Sequence, residues 1–269
     1  MGEHIVFPLG KTGNGNPADS GFYINSGHYA EYGVVKDLMS MREDGIDVRD
    51  MEKDLEGFAR KIPASIPFAD GGVIVPMRET LSAARNVGIT KGSKVLLYGD
   101  GPNGFGFATF AKYLGAEWIG LVGHNEKRMD HFRKHTAVDL YINSHTQNVT
   151  EEMRKAGVTP DIAVDGVGRH EIMIEASNLV RRGGKVVLYA SVGPKQHMLD
   201  LHQFKNNVVL HKHFFPDGDL DVNDELCDLI VSGKVDPKNF YSHTVPIDDF
   251  QQAIDKTLSR EAFKVVVTI

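Results

Sequence analysis

From residue 92 onward, short apolar runs alternate with segments whose apolar residues recur at helical spacing. The apolar runs predict strands at 94–98, 118–122, 140–142, 161–165, 185–190 and 208–213, and the intervening segments predict helices at 103–114, 126–135, 149–156, 171–180 and 224–232. Because the runs are rich in Val, Ile and Leu with little polar alternation, they favour a parallel sheet covered on both faces. The pattern predicts an α/β fold with a doubly wound, six-stranded Rossmann sheet.

The two ends of the chain show weaker patterns. Strands are predicted at 2–6 and 30–35, joined by a Gly- and Asn-rich loop at 10–27, and residues 68–87 have the spacing of a helix. After the sheet region, the tail predicts a strand at 243–246, a helix at 248–258 and a final strand at 263–269.

A glycine motif follows the first strand of the predicted sheet. Gly99, Gly101 and Gly104 form a GxGxxG pattern, with Pro102 and Asn103 between the last two glycines. Such glycines permit a tight turn, a close approach of backbone to phosphate, and close packing of helix on strand. The amides and dipole at the start of the following helix favour a diphosphate, so these five residues are predicted to bind a dinucleotide.

Several further motifs occur in an order that resembles the medium-chain dehydrogenase/reductase superfamily, closest to its zinc-type polyol (sorbitol-like) and threonine dehydrogenases. They are Gly27-His-Tyr-Ala-Glu-Tyr, Lys61-Ile-Pro, Val75-Pro-Met, Lys91-Gly, the glycine motif, Asp161-Ile-Ala-Val-Asp-Gly-Val-Gly, Gly183-Gly-Lys-Val-Val and Lys264-Val-Val-Val. The resemblance implies a dinucleotide-binding domain at 86–239. It also implies a truncated GroES-like barrel, the catalytic domain, at 1–85 and 240–269.

The resemblance also bears on zinc. Aligned with the family, Met1 falls after the segment that carries the Cys and the His-Glu pair of the catalytic zinc site, and Val75 stands where a further acidic residue is found. The 10–27 loop, where relatives often carry a cysteine-rich lobe, contains no cysteine. We therefore expect no zinc in this chain.

The choice of nicotinamide cofactor depends on the end of the second sheet strand. NAD-specific folds place an acidic residue there, and the alignment puts Gly123 at that position. With no carboxylate to repel it, a 2′-phosphate could accept hydrogen bonds from His124 and Arg128, beside Asn125. The pattern favours NADP(H) over NAD(H). The alternative is that Arg128 is a solvated helix residue and NAD is bound less selectively.

The resemblance implies further contacts. Val167, Ser191 and Val192 follow strand ends and would line the nicotinamide, and Lys264 matches a basic residue that reaches the diphosphate, although a plain surface lysine is an alternative. Candidate catalytic residues near the substrate are less specific. They are Arg78, Glu79 and Thr80, for which a solvated surface turn is an equal alternative.

Two histidine pairs have spacings that metal sites also use. His131 and His135 are four apart on a predicted helix, but no Glu follows His131 as in hydrolytic zinc motifs, so an exposed polar face is favoured. His211 and His213 point to the same side of a strand. They are interpreted as marking a sheet edge that joins a second subunit, as a homodimer or homotetramer, with metal binding as the alternative.

Composition narrows the class of protein. The net charge is -6 and the sequence contains no basic stripe that could neutralise phosphates, which argues against a nucleic-acid-binding protein. The single cysteine excludes an internal disulfide framework. No apolar run reaches the length of a membrane span, so a cytoplasmic protein that binds neither membrane nor nucleic acid is expected.

The predicted function is hydride transfer between NADP(H) and a small alcohol or polyol, or its carbonyl. The alternative is a catalytically impaired dinucleotide-binding protein.

Overall fold

The computed structural model describes residues 5–6, 42–45, 47, 60–190, 199–215 and 217–269. The chain divides into two compact units. The terminal unit comprises Met1–Val75 and Leu220–Ile269, and the sheet unit comprises Pro76–Asp219. The predicted strand at 30–35 and loop at 10–27 lie outside the described residues. The domain limits expected for the family, 85/86 and 239/240, stay a prediction.

The regular elements follow the predicted order. The strands are β1 (Ile5–Val6), β2 (Arg60–Lys61), β3 (Lys94–Tyr98), β4 (Trp118–Gly123), β5 (Leu140–Asn143), β6 (Ile162–Asp165), β7 (Lys185–Leu188), β8 (Val209–Lys212), β9 (His243–Pro246) and β10 (Val265–Thr268). The α-helices are α1 (Phe68–Gly71), α2 (Ile74–Asn86), α3 (Pro102–Tyr113), α4 (Glu126–His135), α5 (Val149–Ala156), α6 (His170–Leu179), α7 (Asn223–Val231) and α8 (Phe250–Leu258). Short 3-10 helices cover Leu201–Gln203, Pro237–Phe240 and Ile247–Asp249.

The sheet unit contains six parallel strands in the order β5-β4-β3-β6-β7-β8. β3 lies at the centre, where Leu96 is opposite Gly120 of β4 on one side and Ala163 of β6 on the other. Side chains of β3 are buried on both faces, as the apolar runs require. The doubly wound parallel sheet predicted from the sequence is thereby confirmed, with the strand order reversing between β3 and β6.

The terminal unit contains two small sheets among its described residues. β1 pairs antiparallel with β2, and β9 pairs parallel with β10. The helix predicted at 68–87 is interrupted, because α1 ends at Gly71 and α2 begins at Ile74. Gly72 at the break packs against β10, where an added Cβ would lie 3.0 Å from Val266 Cγ1. This tertiary contact explains why the periodicity alone did not predict the break.

Side-chain caps fix where two helices of the sheet unit begin. Asn125 accepts a hydrogen bond from the Arg128 amide at 3.2 Å and starts α4, and Asn148 accepts from the Glu151 amide at 2.9 Å and starts α5. Asn is a preferred residue at such positions because its oxygen satisfies an otherwise unpaired amide. Within the described ranges, no helix is long and apolar enough to cross a membrane.

Candidate functional site

The turn from β3 into α3 has the geometry that the glycine motif predicts. Gly99 has φ +116°, a backbone conformation that side chains disfavour. Gly101 is the N-cap of α3, with no side chain capping the helix and Pro102 in its first turn. An added Cβ on Gly104 would lie 2.0 Å from the Gly99 carbonyl oxygen, whereas one on Gly101 would meet nothing within 4 Å. Gly104 therefore serves helix packing, and Gly101 leaves its side of the turn open to a ligand.

A crevice of about 630 Å³ lies at the carboxyl ends of the strands, where the strand order reverses. It is lined by residues 98–101 after β3, by 122, 124 and 128 around the end of β4, by 144, 145 and 147–149 after β5, and by 166, 167, 169, 171, 172 and 175 after β6. Open α/β sheets bind their ligands at this position. The crevice and the glycine turn together form the candidate site.

Asp100, inside the glycine motif, holds the start of the next strand-to-helix turn. Asp100 is 4% exposed, and its Oδ2 accepts hydrogen bonds from the amides of His124 and Asn125, each at 2.7 Å. Arg128 Nη1 lies 3.9 Å from Oδ1. Asp100 was not among the residues predicted from the sequence to form the site. The sequence signal that could have indicated it is the acidic residue inside the glycine motif, combined with glycine at position 123, where this fold usually has an acidic residue.

Position 123 requires glycine because Asp100 packs against it, and not because the corner is free of negative charge, as the sequence predicted. An added Cβ would lie 2.7 Å from Asp100 Oδ2 and 2.8 Å from Asp100 Cβ. The expectation that Gly123 leaves this corner free of negative charge is wrong, because the Asp100 carboxylate fills it. His124 and Arg128 do line the crevice as predicted, and Asn125 caps α4. Whether these residues bind a cofactor stays a prediction.

A second buried carboxylate organises the neighbouring turn. Asp165 at the end of β6 accepts hydrogen bonds from the amides of Val167, Gly168 and Arg169 at 2.8, 2.9 and 3.2 Å. Burial raises the pKa of Asp165, although these three amides act in the opposite direction. Since Val167 and Arg169 line the crevice, Asp165 shapes the wall opposite His124 without being part of the surface itself.

Two histidines form part of the crevice wall beyond β4 and β5. The rings of His124 and His145 stack with centroids 4.6 Å apart and an interplanar angle of 27°. Flat rings at the edge of a mixed polar and apolar crevice provide a surface on which a planar heterocycle can stack. Elsewhere in the lining of the crevice, the Tyr98 hydroxyl donates to Glu175 Oε1 at 3.0 Å.

The remaining cofactor residues are placed less directly. Val167 lines the crevice, with its Cγ2 3.3 Å from the position of an added Cβ on Gly99. Asn103 lies exposed in the first turn of α3. Ser191 and Val192 lie outside the described residues. Lys264 precedes β10 in the terminal unit. The roles of these residues toward a cofactor stay predictions.

The three candidate catalytic residues lie on α2 and are not among the residues lining the crevice. Arg78 and Thr80 are each 1% exposed, so the alternative of a solvated surface turn is wrong for these two. The Thr80 hydroxyl bonds the carbonyls of Pro76 at 2.8 Å and Met77 at 3.1 Å within its own helix. Thr80 also packs on α3, where an added Cβ on Gly106 would lie 2.4 Å from Thr80 Oγ1.

Two buried polar side chains lie beyond the ends of β7 and β8. Tyr189 and His213 stack with ring centroids 5.3 Å apart, and neither the Tyr189 hydroxyl nor the His213 ring nitrogens have a hydrogen-bond partner among the described residues. Burial raises the pKa of Tyr189, and the nearby carboxylates of Glu79 and Asp219 raise it further. Burial lowers the pKa of His213, although the carboxylates of Asp217 and Asp219 act in the opposite direction, so the buried site favours the neutral imidazole.

No group of three or more His, Cys, Asp or Glu side chains that could hold a metal occurs in the part of the chain that the structure describes. His131 and His135 lie near each other on α4, with ring centroids 4.7 Å apart, and the centroids of His211 and His213 are 6.3 Å apart. The described residues thus do not fit a catalytic zinc. The absence of zinc from the protein stays a prediction.

Comparison with known proteins identifies relatives of this chain. Residues 104–230 match the family model of zinc-binding dehydrogenases. Over 211 residues the chain is 27% identical to L-threonine 3-dehydrogenase of Coxiella burnetii, covering 78% of this chain and 60% of that protein. It is also 27% identical over 187 residues to D-arabinitol dehydrogenase 1 of Uromyces fabae, covering 65% and 51%. The probable D-xylulose reductase A of Aspergillus fumigatus is 25% identical over 217 residues, covering 79% and 60%.

Solved structures show the same fold. An alcohol dehydrogenase zinc-binding domain protein from Burkholderia ambifaria has a TM-score of 0.72 at 17% identity, covering 80% of this chain and 59% of that one. An alcohol dehydrogenase from E. coli CFT073, complexed with NADH, has a TM-score of 0.70 at 18% identity, covering 78% and 62%. This chain spans about 60% of the length of such proteins. The match over residues 104–230, together with the threonine and polyol dehydrogenase relatives, confirms the resemblance to the medium-chain dehydrogenase/reductase superfamily seen in the motifs of this chain.

Proposed function

We propose that the protein is an oxidoreductase that binds a nicotinamide dinucleotide at the β3–α3 turn and exchanges hydride with a small alcohol, polyol or the corresponding carbonyl. The observation that carries the proposal is Gly101, which opens an uncapped helix N-terminus toward a crevice at the reversal of strand order. When bound, the nicotinamide supplies the hydride chemistry.

The residues of the chain have distinct tasks in this proposal. The backbone at Gly101, with the dipole of α3, holds the diphosphate without a charged side chain. Asp165 fixes the turn after β6 so that Val167 stands at the crevice wall. His124 and His145 offer a stacked pair of rings for the adenine. These contacts bind and orient a dinucleotide, and they leave the proton donor for the substrate unassigned.

The substrate class is inferred from the names of the relatives. They act, by those names, on L-threonine, D-arabinitol and D-xylulose, which share a hydroxyl-bearing carbon or its ketone. We propose a substrate of the same kind. The prediction that Arg78, Glu79 and Thr80 contact it is retained only for Glu79, since the hydroxyl of Thr80 is used within α2 and Arg78 is buried.

The preferred cofactor is the finer part of the proposal. His124 and Arg128, which favoured NADP(H) in the sequence, face the crevice. The amides at this corner, however, already donate to Asp100, and Arg128 lies close to the same carboxylate. A 2′-phosphate would meet a negative charge there. We therefore propose NAD(H) as the preferred cofactor, with NADP(H) as the alternative. The E. coli neighbour complexed with NADH agrees with this choice.

A second candidate function is dinucleotide binding without turnover. It is favoured by the lack of a group of three or more metal-ligating side chains among residues 60–190, 199–215 and 217–269. Both candidate functions need the same cofactor site. They differ in whether the chain provides the groups that activate the substrate oxygen.

We also propose that the protein self-associates through β8, as the predicted homodimer or homotetramer. β8 is an edge strand of the six-stranded sheet, and its Val209 and Leu210 are 51% and 41% exposed. An exposed edge with apolar side chains can pair with a second copy about a two-fold axis.

The proposed function is tested by calorimetric titration of the protein with NADH and NADPH, followed by activity assays. The assays use L-threonine and D-arabinitol with oxidised cofactor, and D-xylulose with reduced cofactor, together with metal analysis of the same sample. Micromolar binding with turnover supports the oxidoreductase. Binding of a nucleotide without turnover of any of the three substrates supports the second candidate function. If neither NADH nor NADPH binds, both candidate functions are overturned.

A further inference from the structure

We infer that Asp100 is the specificity-determining residue that rejects a 2′-phosphate on the adenosine ribose, in place of the acidic residue that such folds carry at the end of the second sheet strand. The inference rests on the dinucleotide site proposed above. Asp100, within the glycine turn, would then perform the discrimination that this fold usually places at the position of Gly123.

The position of the carboxylate supports this assignment. β3 and β4 are neighbouring parallel strands, with Tyr98 opposite Val122, so their carboxyl ends lie side by side. Asp100 leaves the end of β3 and reaches across to the end of β4, where its Oδ2 accepts from the amides of His124 and Asn125. The carboxylate thus occupies the corner where an acid attached to residue 123 would lie.

Sterics make the two positions for the acid mutually exclusive. An added Cβ at Gly123 would lie within 2.7–3.0 Å of three Asp100 side-chain atoms, which is closer than such atoms approach in real structures. Only one carboxylate fits. The pair Asp100 and Gly123 therefore places the same single negative charge at this corner as a glycine at position 100 with an acid at position 123 would. The difference is that the acid follows β3 and does not stand at the end of β4.

The hydrogen bonds leave one carboxylate oxygen for the ligand side. Both backbone amides donate to Oδ2, whereas Oδ1 lies 3.9 Å from Arg128 Nη1, beyond hydrogen-bond distance. Asp100 and Arg128 both line the crevice. A ribose hydroxyl can donate to such an oxygen, while a phosphate brings two further negative charges toward a poorly hydrated carboxylate.

The test compares Asp100→Asn with the wild-type protein by calorimetric dissociation constants for NADH and NADPH. Because one oxygen accepts both amides, the Asn carbonyl can keep both hydrogen bonds while the charge is removed. We expect wild type to bind NADH at least about tenfold more tightly than NADPH, and Asp100→Asn to reduce that ratio about tenfold. Asp130→Asn is the matched control, since it removes an exposed carboxylate of α4 that pairs with Arg133.

A second pair of variants moves the acid to its usual place. Gly123→Asp alone should lower the melting temperature, because the new side chain collides with Asp100. Asp100→Gly combined with Gly123→Asp removes the collision, and should restore both the melting temperature and the preference for NADH. This rescue distinguishes a ligand-selecting carboxylate from one that only holds the turn.

The outcomes separate the two proposals. If wild type binds neither nucleotide, the proposed function fails and the inference fails with it. If wild type binds a nucleotide but Asp100→Asn changes both dissociation constants equally, or leaves their ratio unchanged, only the inference is overturned. A wild-type preference for NADPH also overturns it.

Discussion

The carboxylate of Asp100 fills the space that a side chain on Gly123 would need, with Oδ2 2.7 Å from the position of the missing Cβ. Asp100 and Gly123, 23 positions apart in sequence, thus form a sterically complementary pair, because the size of the side chain at one position limits the size that fits at the other. The pair explains why glycine follows a buried strand at a position where the fold usually carries an acid. It also couples the glycine turn after β3 to the end of β4 through one side chain.

Gly101 and Gly104 are expected to respond differently to the same substitution. Gly101→Ala should leave the free energy of unfolding within about 0.5 kcal/mol, because the new methyl meets open space and φ is -93°. It should nevertheless weaken NADH binding at least about tenfold, since the methyl occupies the side from which the diphosphate approaches. Thermal or urea unfolding and calorimetric titration measure the two effects.

Gly104→Ala is the matched control for that variant. Its methyl would lie 2.0 Å from a backbone oxygen, so α3 must shift, and we expect a loss of about 1–3 kcal/mol in unfolding free energy. Equal loss of stability in both variants, or NADH affinity retained in Gly101→Ala, would contradict the placement of the diphosphate.

Thr80 is expected to act through packing between α2 and α3. Gly106→Ala should cost about 1–3 kcal/mol in unfolding free energy, because its Cβ would lie 2.4 Å from Thr80 Oγ1. In the double variant Gly106→Ala with Thr80→Ala, the cost should be smaller than the sum of the single costs by about 0.5 kcal/mol or more. A Thr80→Ala variant with unchanged stability but with turnover abolished would instead support a catalytic role.

His213 is expected to make folding pH-dependent. Its pKa is lowered in the folded protein, so the unfolded chain binds the proton first as the pH falls. The stability that His213 provides is present above its unfolded pKa of about 6.5 and is lost as the pH falls below it, with a slope of at most about 1.4 kcal/mol per pH unit. Urea unfolding at pH 7.5, 6.5 and 5.5 should show a shallower slope for His213→Phe than for wild type.

The control for this pH series is His202→Gln, which removes an exposed imidazole in the same unit. His202→Gln should reproduce the wild-type slope. A slope for His213→Phe that matches wild type would show that another group carries the pH dependence.

The edge strand β8 provides a test of self-association. Leu210→Lys places a charge on an edge that the proposed dimer would cover, so light scattering after gel filtration should show the mass of a single chain. Leu258→Lys changes a leucine that is 76% exposed on α8 and should leave the mass unchanged. If wild type already has the mass of one chain, the proposed dimer is wrong.

The sheet could be predicted from the sequence because apolar residues dominate its inner strands β3, β4, β6 and β7. β3 begins and ends where the pattern places it, and β4 is longer by one residue. The break at Gly72 could not be predicted, since it depends on contact with Val266, distant in sequence. Asp100 was missed for the same reason. Its partners His124 and Asn125 become neighbours only when β3 and β4 are in register.

The buried positions on α2 show a related limit. Helical periodicity indicates which residues share a face, but it does not indicate which neighbouring element covers that face. Thr80 is buried because α3 presents a glycine to it. A polar residue on a helix was therefore assigned to the surface, although a close helix contact encloses it.

The strand order has a consequence for how the candidate site forms during folding. β3, β4 and β5 are consecutive in the chain, whereas the pairing of β3 with β6 joins residues such as Val95 and Ile162. Pairing of strands that are consecutive in the chain closes short loops and is fast. The pairing of β3 with β6 closes a longer loop, so we expect it to form later. Since the crevice has one wall from each half of the sheet, a half-folded chain has no complete pocket. Nucleotide affinity would then report that the two halves have docked, and a nucleotide present during refolding would stabilise only the joined state.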